Sequence, residues 1–98
     1  MANFLDRVRT AALKQDIKPG DLYEDCAYHP VVCVEVDMEN DSITGISLVD
    51  GSQPRCCSFI HCGVRKLTVE QAWAIRLNGP ADHEARDKIG AEFRWWRE

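Results

Sequence analysis

Cations are missing from the middle of this chain. Between Pro19 and Pro54 there is no Lys or Arg, while eight acids fall there: Asp21, Glu24, Asp25, Glu35, Asp37, Glu39, Asp41 and Asp50. A nucleic-acid surface needs clustered positive side chains, so no nucleic-acid partner is expected. The basic residues gather instead at Arg7, Arg9, Lys14 and Lys18, at Arg65 and Lys66, and at Arg94 and Arg97. No run of about 18 apolar residues is present, which argues against a membrane span. The N-terminus places Asp6 early and lacks an apolar signal region, so a cytoplasmic protein is expected. There is no internal repeat, Gly/Ser linker, phosphate-binding glycine loop, Gly-x-Ser-x-Gly or His-Glu-x-x-His. With no catalytic constellation, the reading is a protein that is not an enzyme and needs no cofactor.

What is present describes one globular domain. The 98 residues, 45% hydrophobic and 29% charged, suit a single modest core over 1–98. A helix is expected over 1–18: Asn3 can cap it, Asp6 suits its positive end, and Phe4, Val8, Ala11 and Ala12 share a face. Lys18-Pro19-Gly20-Asp21 has Pro and Gly where a type II turn requires them.

Residues 21–67 carry the strand-like positions, with strands expected at 22–28, 31–36, 43–49, 55–60 and 64–67. In the second, Val32, Val34 and Val36 alternate with Val31, Cys33 and Glu35. Gly45, inside the third, signals a bulge or bend that would let a short sheet curl. Thr68-Val69-Glu70-Gln71 is a capping-box pattern, opening a helix with Val69, Ala72, Trp73 and Leu77 available for burial. Asn78-Gly79-Pro80 stops it, and Ala81, Ala85, Ile89, Phe93 and Trp96 predict a last amphipathic helix, weakened by Gly90. Two C-terminal helices are thus expected over 68–98. The fold class is α+β, mainly β with flanking helices. The strand lengths, the bend at Gly45 and the short last strand resemble an SH3-like small antiparallel barrel of about five strands.

Five cysteines leave one unpaired in any closed disulfide set, which favours free thiols. The simplest role for them is as small apolar residues in the core. A zinc site is the chemical alternative, because zinc takes sulfur and nitrogen ligands, often as close pairs brought together by the fold. Cys26-x-x-His29 and His61-Cys62 both sit at strand ends, so Cys26, His29, His61 and Cys62 form the candidate ligand set. Cys62, beside His61 and near Arg65, is the candidate nucleophile of a thiol enzyme or redox sensor. Asp37-x-Glu39-x-Asp41 starts like a calcium loop, but Ser42 and Leu48 occupy its required Gly and Glu places.

The leading functional expectation is a non-enzymatic protein–protein interaction module. Its contact residues would be the acidic loop positions Asp37, Glu39, Asp41 and Asp50, together with Trp95, Trp96 and Arg97 of the tail. Acidic loops attract a basic partner, and Trp and Arg are enriched at interface hot spots.

Overall fold

The computed structural model describes residues 3–96. Asn3 Oδ1 accepts from the Asp6 N–H at 2.8 Å and opens α1 (Phe4–Gln15), which ends at Asp16 in a left-handed conformation. Val8 and Ala12 are its buried positions, while Phe4 stays exposed. The following turn forms as its sequence requires: Gly20 has φ 94°, and the Asp21 N–H donates to the Lys18 carbonyl at 2.9 Å.

Five antiparallel strands follow: β1 (Leu22–Glu24), β2 (Pro30–Asp37), β3 (Ser42–Ser47), β4 (Arg55–Cys57) and β5 (Arg65–Leu67). Their order in the sheet is β4-β3-β2-β1-β5. The sheet is open, with β4 and β5 as its edges, and among the described residues no ladder joins them. The fold is therefore α+β with a five-stranded sheet.

Two strands are shorter than their composition suggests. β1 stops at Glu24 because the Asp25 side chain starts a turn, and β4 stops at Cys57 because Ser58 starts another. β2 carries a bulge between Cys33 and Glu35. The inward face consequently passes from Val31 and Cys33 to Val36, and Val34 is left in solvent. Gly45 pairs with Cys33 just before the bulge. A Cβ there would run into the Val32 carbonyl oxygen and the Val31 side chain, so close backbone approach demands the glycine.

Each face of the sheet has its own apolar layer. Val8 and Ala12 of α1 pack with Tyr23, Val31, Cys33, Ile43, Cys57, Phe59 and Val64. On the opposite face, α2 (Val69–Asn78) packs Ala72 and Ile75 against Leu67, with Leu22, Leu48 and Trp95 beside them. The capping box of α2 is complete, Thr68 and Gln71 each satisfying the other's backbone N–H. Its buried side is Ala72 and Ile75. Val69, Trp73 and Leu77, spaced four apart on another side, are exposed, Trp73 by 55%.

The tail is not one helix. Helix α3 (His83–Lys88) ends at Ile89, which is extended, and a single 3-10 turn follows at Ala91–Phe93. This break turns Trp95 and Trp96 back onto the domain. The Trp95 Nε1–H donates to the Ile75 carbonyl at 3.0 Å. Trp96 is only 5% exposed, and its ring lies where a side chain on Gly79 would otherwise stand. Phe93 is 72% exposed. No helix among the described residues is long and apolar enough to cross a membrane.

Candidate thiolate metal site

Two side-chain-capped turns converge at one edge of the sheet. The first follows β1. Asp25 Oδ1 accepts from the Ala27 N–H at 3.0 Å and the His29 N–H at 2.9 Å, and Tyr28 takes φ 66° to complete the reversal. The other carboxylate oxygen of Asp25 accepts from Arg55 Nε at 3.0 Å. Asp25 thereby ties this turn, which carries Cys26, to β4, which carries Cys57.

The second turn follows β4. Ser58 Oγ accepts from the His61 N–H at 3.0 Å and the Cys62 N–H at 2.8 Å, and the Gly63 N–H donates to the Ser58 carbonyl at 3.0 Å. The carboxylate of Asp41 reaches in from the β2–β3 connection. It accepts from the Phe59 N–H at 2.8 Å and the Ile60 N–H at 3.3 Å. Asp41 itself has φ 49°, a left-handed conformation that Asp and Asn tolerate better than most residues.

The result is a cluster of three thiols. The sulfurs of Cys26, Cys57 and Cys62 all lie within 4.8 Å of one another. Cys57 is buried at the base, while Cys26 and Cys62 are exposed. Burial, then its contact with Cys62, pushes the Cys57 thiol up to about 12. Cys62 moves the other way: the Ser58 hydroxyl, then the Cys57 thiol, hold it below the ordinary thiol value. Tetrahedral zinc with bonds of about 2.3 Å sets its sulfurs roughly 3.8 Å apart. Seating an ion would draw these three together by an ångström at most, and two of them are exposed.

The sequence-derived zinc set is thus divided. Cys26 and Cys62 do meet. His29 instead sets its Nδ1 2.8 Å from Ser47 Oγ, with its ring edge-on to Trp95 at 4.7 Å. Burial, with the Arg55 charge second, holds its imidazole below the ordinary value. His61 is exposed on the second turn, and no histidine nitrogen or carboxylate oxygen among the described residues joins the three sulfurs within that distance. Cys57 is the member that sequence reasoning missed. A strand running to Ile60 would hold Cys57 and Cys62 about five residues, roughly 17 Å, apart. Ser58 and Gly63, flanking the reversal, are the signal that it is a turn. Cys56 points away, its sulfur 3.8 Å from Thr44 Oγ1, and Cys33 is buried in the α1-side core.

The proposed contact residues are also scattered. Asp37 and Glu39 lie at one end of β3 and Asp50 beyond the other, roughly 20 Å apart for a six-residue strand. Asp41 is 5% exposed and caps the second turn; Trp96 is buried and Trp95 is docked through its indole N–H. Arg97 lies outside the described residues. Part of the acidic field is met locally, by Glu24–Arg65 at 3.5 Å and Asp21–Lys66 at 3.4 Å. Compared with protein-family models, curated proteins and solved structures, the chain matches none of them.

Proposed function

We propose that the protein is a small metal-binding domain that holds zinc(II), or a cation of similar thiophilicity, on Cys26, Cys57 and Cys62. The observation that carries this reading is the convergence of three sulfurs from two separately capped turns. Thiolates select soft or borderline cations such as Zn²⁺ over Mg²⁺ or Ca²⁺. The site is buried at one corner and open at two, so an ion can reach it without unfolding the chain. Two carboxylates act behind the ligands: Asp25 orients the turn bearing Cys26, and Asp41 the turn bearing Cys62. Because the ion would tie the chain after β1 to the chain after β4, binding stabilises the fold.

The wider fold reading goes with this one. A meander of four strands whose fifth strand returns to pair with the first supports an SH3-like small barrel. The interaction-module reading rests on Asp37, Glu39 and Asp50 as separate solvent acids, which no single surface unites.

Titration of reduced, metal-free protein with Zn²⁺ against a competing chelator tests the proposal. The expected stoichiometry is one ion per chain. Cys26→Ser and Cys62→Ser, both at exposed positions, weaken binding by more than about tenfold, whereas Cys33→Ser and Cys56→Ser do not. Binding that is absent, or indifferent to Cys26→Ser and Cys62→Ser, overturns it.

A further inference from the structure

We infer that the metal at Cys26, Cys57 and Cys62 keeps one coordination position open to an exogenous ligand; this rests on the metal-binding reading just given. Closed, purely structural zinc sites supply four protein ligands, whereas sites that do chemistry or exchange ligands supply three. The described residues supply three. The histidine nearest in sequence to Cys26 that could complete the set, His29, is committed to Ser47 and Trp95. His61 is the neighbour of Cys62, but both backbone N–H groups are bound by the same Ser58 oxygen, and its ring nitrogens lie outside the cluster. Cys56, adjacent to Cys57, projects to the other side of β4 toward Thr44. The sulfurs of Cys26 and Cys62 are exposed, so the side of the triangle they form faces water.

The surroundings say what kind of ligand would enter. Three thiolates on a divalent ion carry a formal charge of −1; behind them Asp25 is paired with Arg55, and the Asp41 carboxylate accepts from backbone N–H groups. An incoming hard anion meets repulsion and a neutral water or imidazole does not, while a small-molecule thiol, which ligates as its soft thiolate, must release its proton to solvent as it binds. The inferred ligand class is therefore a neutral nitrogen donor, or a low-molecular-weight thiol that binds as its thiolate and gives its proton to solvent, in either case displacing water.

Cobalt(II) in place of zinc gives visible absorption that reports its ligand set. With one cobalt per chain, added imidazole or 2-mercaptoethanol is expected to shift the visible bands, the thiol also strengthening the sulfur-to-cobalt charge-transfer band. Gel filtration should show the cobalt still bound one to one. His61→Ala, an exposed substitution, is expected to leave both the spectrum and the cobalt affinity unchanged. Loss of a true ligand would exceed even the roughly 10–100-fold cost of losing an outer-shell partner. A spectrum indifferent to both additives and altered by His61→Ala overturns the inference alone, since His61 then closes the shell. So does loss of cobalt to the additives. Failure to form any cobalt–thiolate spectrum overturns both this inference and the metal reading beneath it.

Discussion

His29 is a half-buried imidazole wedged between Ser47 and Trp95, and its environment favours the neutral form. Burial is the main cause, and the Arg55 guanidinium adds to it. The sign of the resulting linkage follows directly. A base whose folded pKa is depressed costs no stability while neutral in both states, above its ordinary 6.5. As pH falls through 6.5, the unfolded chain takes up a proton that the folded one resists, and stability is lost until pH passes the lower folded value. The drop in melting temperature between pH 7 and pH 5 should therefore be smaller in His29→Gln than in the parent protein. Equal drops would mean that His29 titrates normally. At the same scale, Asp25, Asp41 and Cys57 show how one side chain overrides local propensity. Each occupies a stretch whose neighbours read as strand or solvent loop, and each is buried for a long-range reason. Asp41 in particular looks, by composition, like one more acid on a soluble hairpin. Its partners at Phe59 and Ile60 lie 18 and 19 residues away, where no local pattern could reveal them.

Among the elements, those bounded by local signals were legible and those bounded by tertiary contacts were not. The Asn3 cap, the Pro19-Gly20 turn and the Thr68/Gln71 capping box all appear where the residues put them, because each closes within three or four residues. The side that α2 buries was legible only at Ala72: Val69, Trp73 and Leu77, expected with it, are exposed, and the sheet receives Ala72 and Ile75 in place of the larger apolar residues. The tail escaped for a related reason: its helical spacing is sound to Ile89, but Trp95 and Trp96 gain more by docking on Ile75 and Gly79 than by continuing a helix. The turn at 25–29 is the element whose anchorage is most open to test. Asp25 holds it against β4 through Arg55, and both side chains are largely removed from water. Asp25→Ala strands the Arg55 charge and two backbone N–H groups, so urea unfolding should show a loss of about 3 kcal/mol, within the range for breaking a buried pair. A loss within about 0.5 kcal/mol, typical of surface substitutions, would mean that the turn holds without this anchor.

At the level of the whole molecule, the α+β class was readable from strand alternation and capped helices, and so was the number of strands. The open edges were not, since closure depends on how far the strands extend, and β1 and β4 end early at side-chain-capped turns. The same early endings create the candidate site. If β1 and β4 ran on as their compositions suggest, Cys26, Cys57 and Cys62 would lie along extended chain and could not meet. Two of the three ligands were visible, as Cys26 and Cys62 at strand ends; the third sulfur became visible only with the reversal at Ser58. The claim that these three thiols act as one site is tested most directly by mapping alkylation of all five cysteines by mass spectrometry, with and without one equivalent of Zn²⁺. Without zinc, the exposed Cys26, Cys56 and Cys62 should label readily and the buried Cys33 and Cys57 slowly. With zinc, Cys26 and Cys62 should become protected while Cys56 labels as before. Unchanged labelling of Cys26 and Cys62, or protection that falls on Cys56 instead, would contradict the account.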